Sequence, residues 1–164
     1  MQRTLGAPIY TLEEFVDFRP QIQGTLAATS GGFDPIHPGH ISCIRDSKLH
    51  ADTLVVIVNG DDFLRRKKGK PFQDLETRSL IVSSLPWVDY VVMFEIENDP
   101  TVCVALEEIR PEKFTKGGDR TGIENIPEWT TCQQHGIEIV TSVGDDKEWS
   151  SSTFLADWIR DSAG

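Results

Sequence analysis

Eleven consecutive residues, Ser30-Gly31-Gly32-Phe33-Asp34-Pro35-Ile36-His37-Pro38-Gly39-His40, combine the residue types that handle a phosphate. Glycines let the main chain approach a ligand closely and aim its N–H groups at one point. His37 and His40, three residues apart, project to the same side of an opening helix. An imidazole is small enough to reach a phosphoryl oxygen and donates an N–H to negative charge. The chemistry implied is grip and charge stabilisation on a polyphosphate. Taken singly these signs are weak, because a glycine pair is often an ordinary turn and a lone histidine is more often structural.

Three further stretches carry similar potential. Arg65-Arg66-Lys67-Lys68-Gly69-Lys70 places five cations in six residues. It reads as a solvated loop or as a local positive patch over a polyphosphate. Lys116-Gly117-Gly118-Asp119 is a second glycine pair at the end of an apolar run, with a cation and a carboxylate beside it. Ser150-Ser151-Ser152-Thr153 precedes a helical pattern. Four hydroxyls there are N-cap choices, or a second phosphate cradle at a helix N-terminus.

Hydrophobic period supplies the scaffold for these groups. Thr25–Thr29 is a short run of small and β-branched residues that reads as a strand feeding the first glycine turn. The helix after it opens at Pro38-Gly39-His40. Thr53–Asn59 is a continuous apolar run, as in a parallel strand covered on both faces. Strand, helix, strand over this length is a βαβ crossover, and ligands in such sheets sit outside the carboxyl ends of the strands. Asp74 opens a helix with Leu80, Ile81 and Leu85 as its expected buried stripe. Val88–Phe94, Glu112–Lys116 and Gly136–Thr141 read as further strands, with a helix from Pro100 to Ile109 between the first two. The expectation is an α/β, Rossmann-like, doubly wound parallel sheet of about five strands. Residues 1–23 read as an N-terminal helical extension, since Thr11-Leu12-Glu13-Glu14 has capping-box form, and 24–164 as a single domain.

Composition sets the limits. A chain of 164 residues, 38% hydrophobic and 26% charged, suits one globular core. A net charge of −10 argues against nucleic acid as a partner. No apolar run approaches the ~20 residues that span a bilayer, and the first residues hold no signal-peptide core, so the expected location is cytoplasmic. Cys43, Cys103 and Cys132 are odd in number and widely spaced, as free thiols in a reducing compartment would be. His135 reads as a helix C-terminal cation without a chemical role.

The string Gly31-Gly32-Phe33-Asp34-Pro35-Ile36-His37-Pro38-Gly39-His40 resembles the signature of the His-x-Gly-His nucleotidyltransferase superfamily, and the resemblance extends over about residues 24–160. Within it, Lys-Gly-Gly-Asp at 116–119 is similar to the heptose-phosphate adenylyltransferases. Pro86-Trp87-Val88-Asp89-Tyr90-Val91 lacks the arginine that cytidylyltransferases carry there. Both features tilt the reading toward adenine and leave CTP open. The resemblance implies transfer of AMP or CMP from ATP or CTP to a phosphorylated small molecule (a sugar phosphate, polyol phosphate or phosphonate), with release of pyrophosphate. A nicotinamide-mononucleotide-type adenylyltransferase and a non-catalytic nucleotide-binding module of the same fold are the alternatives.

It further implies His37, His40 and Lys70 as catalytic groups. Gly31, Gly32, Phe33, Asp34, Gly39, Lys68, Arg78, Lys116, Gly117, Gly118, Asp119, Ser150, Ser151, Ser152 and Thr153 would bind the nucleotide. Mg²⁺ would come with the phosphates, with Asp34 near its water shell and no dedicated protein metal site. A homodimer is expected by analogy.

Overall fold

The structure, a computed structural model, describes residues 6–118, 122–145 and 151–163. Six parallel strands form one sheet: β1 (Ile9–Thr11), β2 (Leu26–Gly31), β3 (Thr53–Asn59), β4 (Tyr90–Phe94), β5 (Lys113–Thr115) and β6 (Glu138–Val140). Their spatial order is β1-β4-β3-β2-β5-β6, with every pair parallel. The first crossover helix, α2, spans Pro38–Ser47. The others are α1 (Leu12–Phe18), α3 (Asp61–Lys68), α4 (Leu75–Ser83), α5 (Cys103–Ile109), α6 (Trp129–His135) and α7 (Ser151–Ser162). None of the described helices is long and apolar enough to cross a membrane.

Because strand side chains alternate between faces, β2 and β3 feed two cores. Leu26, Ala28, Val55 and Ile57 point to the layer of α1, α5 and α6, against Phe15, Leu106 and Cys132. Ala27, Leu54, Val56 and Val58 point the other way, against Ile44 of α2 and Val82 of α4. A strand buried on both faces reads as an unbroken apolar run, which is what Thr53–Asn59 is. The carboxyl ends of β2, β3 and β5 open together between the two layers, where a cavity of about 610 Å³ lies.

Three elements depart from the sequence expectation. Residues 9–11 form a strand that pairs with β4 (Ile9 opposite Val91), so the N-terminal segment holds a sixth strand as well as the capped helix α1. Arg65 to Lys68 lie in the last turn of α3, not in a loop. Acidic residues open that helix and cations close it, an arrangement the helix dipole favours. In α4 the buried face is Arg78, Ser79, Val82 and Ser83, while Leu80 is 51% exposed. The periodicity of apolar residues pointed to the wrong stripe because the inward face of α4 is largely polar. Cys43, Cys103 and Cys132 are free, with Cys132 buried and the other two half-buried.

Candidate active site

The glycine turn is tight because there is no room for side chains. A Cβ on Gly31 would come within 2.8 Å of the Phe33 ring, and one on Gly32 within 2.9 Å of Leu64. Phe33 itself holds φ at 52° and packs edge-on against His40 at 5.1 Å. His37 is the N-cap of α2, and its Nδ1 accepts the His40 N–H at 3.3 Å. His40 returns the bond, its Nδ1 accepting the His37 N–H at 3.3 Å. The two rings stack with centroids 3.6 Å apart. With each Nδ1 accepting, a neutral ring must carry its proton on Nε2, so both imidazoles become donors at that atom. In the first turn the N–H groups of His40 and Ile41 are spent on His37, Pro38 has none, and Gly39 lines the cavity.

Two buried charges hold this corner in shape. Arg78 is 0% exposed. Its guanidinium donates to the carbonyls of Gly32, Asn59 and Gln73 and pairs with Asp61 at 2.7 Å. It thereby ties the ends of β2 and β3 to the starts of α3 and α4. Asp34 pairs with Lys68 at 2.6 Å and accepts the N–H groups of Phe72 and Gln73, both at 2.8 Å. Burial alone would push its carboxyl pKa up, but the Lys68 and amide hydrogen bonds prevail and hold it below its ordinary value. Glu95 completes the set by accepting from the Asp61 and Asp62 N–H groups at the head of α3.

The opposite wall is made by β5 and the glycine turn at its carboxyl end. Gly117 lies so close to α2 that an added Cβ would stand 3.3 Å from both Cys43 Sγ and the Val143 carbonyl. Burial pushes the Cys43 thiol up, outweighing hydrogen bonds from Ser47 and Thr29, so this cavity-lining cysteine is a neutral thiol and a poor nucleophile. Lys116 pairs with Glu128 at 3.2 Å, and both line the cavity. Below, Ser47 and Thr115 share a hydroxyl contact of 2.7 Å that joins α2 to β5.

The cavity gathers Gly31, Gly32, Phe33, His37, Gly39 and His40 from the first motif. Lys116, Gly117 and Gly118 reach it from the second, and Ser151 and Ser152 from the head of α7. Ser151 Oγ also donates to the Pro35 carbonyl at 2.8 Å. Other expected residues stand elsewhere. Lys70 is exposed beyond the C-cap Gly69, and Lys67, one turn back, lines the cavity in its place. Arg78, Asp34 and Lys68 lie behind the lining and brace it. Thr153 is exposed outside the lining, and Asp119 and Ser150 fall outside the described residues. Glu128 also lines the cavity; Pro127-Glu128-Trp129 signals only a helix start, and nothing local announces that its carboxylate turns inward.

The cytidylyltransferase-like family profile matches residues 28–152. A bifunctional protein HldE of Methylococcus capsulatus is 34% identical over 97% of this chain, which covers 34% of that relative. Another HldE, from Alcanivorax borkumensis, is 36% identical over 74% of the chain and 23% of its own length. The chain thus spans about a quarter to a third of the length of these two curated relatives. Among solved structures, a lipopolysaccharide core biosynthesis protein from Thermoplasma volcanium superposes with a TM-score of 0.64 at 27% identity, covering 75% of this chain and 99% of that one. A pantoate-beta-alanine ligase from Francisella tularensis shares the fold, with a TM-score of 0.59 at 14% identity over 89% of this chain and 69% of its own. A family match across both glycine turns, the stacked histidines and the head of α7 makes this chain a member of the cytidylyltransferase-like family of nucleotidyltransferases.

Proposed function

We propose that this domain transfers AMP or CMP from ATP or CTP to a phosphorylated small molecule and releases pyrophosphate. The observation that carries the reading is the reciprocally bonded His37–His40 pair, set over the Gly31–Gly32 turn in a cavity that Ser151 and Ser152 also line. Adenine is the favoured base, on the Lys-Gly-Gly-Asp turn and the HldE relatives. The acceptor class is a sugar phosphate, polyol phosphate or phosphonate.

An oxygen of the acceptor phosphate attacks the α-phosphorus, a new P–O bond forms, and the bond to the β-phosphate oxygen breaks with its electron pair leaving on pyrophosphate. The attacking group is already an anion, so no general base is needed. The work is positioning and stabilisation of charge. His37 and His40 donate from Nε2 to the α-phosphoryl oxygens, and Lys67, Ser151 and Ser152 take the departing phosphates. Mg²⁺ would neutralise charge on the phosphates. Among the described residues no group of three His, Cys, Asp or Glu stands together as a metal site.

The test is pyrophosphate release from each of four nucleoside triphosphates against a heptose 1-phosphate, glycerol 3-phosphate, 2-aminoethylphosphonate and nicotinamide mononucleotide. His40→Ala is expected to lower kcat by about 10²–10³ with nucleotide affinity within a few fold. An unchanged rate in that variant would defeat the mechanism. A wild-type protein that binds nucleotide and releases no pyrophosphate with any acceptor would be a binding module.

A further inference from the structure

Among the described residues, four buried polar side chains line the cavity: Thr29, His37, Asn59 and Glu128. Three are spent within the fold. Thr29 Oγ1 donates to the Thr115 carbonyl at 3.1 Å, His37 Nδ1 accepts from His40, and Glu128 pairs with Lys116. Asn59 is the exception: the residue is 8% exposed, and among the described residues its carboxamide has no hydrogen-bond partner. It closes β3, whose preceding residues, Leu54 to Val58, are all apolar and buried. Burial of an unpaired amide opposes folding, so an apolar residue would serve the strand better.

The place of this amide relates it to the reacting group. Arg78 Nη1 bonds both the Gly32 and the Asn59 carbonyls, which sets the last residue of β3 beside the glycine turn. Val55 and Ile57 face the layer of α1, α5 and α6. Strand alternation turns Asn59 the same way, as it does Phe94, its register partner in β4. Phe33, against His40, and Ile44 of α2 belong to the opposite layer. Gly31, Gly32, both histidines and Asn59 nevertheless line one cavity. A phosphoryl group on the glycine turn is thus met by the histidines from one face of the sheet and by Asn59 from the other.

We propose that Asn59 is a third catalytic donor, its Nδ2–H bonding a non-bridging oxygen of the α-phosphoryl group from the side opposite the histidines. The proposal rests on the transfer reading above and adds a residue to its machinery. No proton moves: the hydrogen stays on nitrogen while the P–O bonds form and break. The amide is neutral, and its bond strengthens as negative charge gathers on the oxygen. A buried donor already in place and unspent until that moment is what such stabilisation requires. It gives a reason for the apolar strand to end in an amide.

The experiment compares wild type with Asn59→Leu, a near-isostere without polar atoms, and with Asn59→Ala, too small to obstruct the cavity. Transfer to the best acceptor of the panel above is measured with ATP, CTP and the Sp and Rp α-thio forms of each. In those forms sulfur, a weak acceptor, replaces one non-bridging oxygen. In both variants kcat should fall by about 10²-fold, with both KM values within a few fold and denaturant midpoints no lower than wild type. The thio effect, the rate with the parent nucleotide over that with its α-thio form, should shrink in Asn59→Ala for one diastereomer and hold for the other. Three results would overturn the proposal. An unchanged kcat would leave the amide to solvent. An acceptor KM that rises while kcat holds would move the contact to the acceptor. A fall in kcat with both thio effects as in wild type would make Asn59 structural. Should wild type release no pyrophosphate at all, the transfer reading fails separately, and calorimetric binding of the α-thio nucleotides decides the contact. Selectivity between diastereomers that is lost in Asn59→Ala supports it; equal selectivity in the two proteins, or no binding, overturns it.

Discussion

Where β2 runs into α2, the cavity wall is held by bonds that answer one another: His37 to His40 and back, Arg78 to three carbonyls and Asp61, Asp34 to Lys68 and two amides. Where α7 reaches the same cavity, Ser151 bonds the Pro35 carbonyl and Phe154 meets the edge of His37 at 6.1 Å. Trp158 and Ile159, on the same helix, stand 69% and 55% exposed. The contrast follows the chemistry. Donors at the reacting phosphorus must already be in place when charge develops, because reorganising them then would consume their benefit. In the proposed transfer the leaving phosphates would be held by charge and by several groups, which tolerates a looser tether.

The comparison is most easily broken at Arg78. Replacement by Lys keeps a charge but cannot serve three carbonyls and a carboxylate at once. The expected loss is about 3–5 kcal/mol in denaturant unfolding, with transfer activity abolished. A variant that unfolds like wild type would mean that the strand ends hold their spacing unaided.

A smaller loss is expected for Asp34→Asn, about 2–4 kcal/mol, because the amide cannot pair with Lys68 as an anion. Since the folded state holds Asp34 below its ordinary pKa, it binds fewer protons there than the unfolded chain. Its contribution is therefore complete above the ordinary carboxylate range, and it declines as pH falls below about 4 through the depressed folded value. Wild-type stability should show that acid limb and Asp34→Asn should flatten it. Parallel acid limbs in the two proteins would remove Asp34 from the bracing set.

The smallest effect belongs to the looser corner. Ser151→Ala deletes one hydrogen bond at a partly exposed position, worth about 0.5–1.5 kcal/mol. It should raise the KM for nucleotide a few fold and leave kcat nearly intact. A drop in kcat as large as that of His40→Ala would show that the head of α7 is as tightly set as that of α2, and the contrast would dissolve.

How far the sequence reveals this site depends on where each constraint is local. The glycine turn, the opening of α2 and the apolar run of β3 are written in neighbouring residues, and the structure places them within a residue or two of expectation. Arg78 has no such signature. In the first turn of a helix with Glu76 beside it, it reads as an exposed cation or as a phosphate ligand. Only the distant carbonyls of Gly32 and Asn59 make it a brace. The basic run was legible as a cluster of cations but not as a helix, because α3 buries little beyond Leu64 and so lacks an apolar period. Which cation turns inward, Lys67 in place of Lys70, depends on the rotation of that helix. β1 is three residues long and acquires its conformation by pairing with β4, a partner about 80 residues away, which no local window can register.

The parallel sheet has a further consequence for solubility. Both of its outer strands, Ile9–Thr11 and Glu138–Val140, are only three residues long. Short borders offer another chain little backbone to zip onto, while the long apolar strands Leu26–Gly31 and Thr53–Asn59 are enclosed between neighbours. Stripping away Ile9–Thr11 would lay bare one side of Tyr90–Phe94, a five-residue aliphatic and aromatic ribbon suited to sticking to its own kind. The N-terminal segment, at the border of the sheet, thus acts as a selvedge over the edge of Tyr90–Phe94.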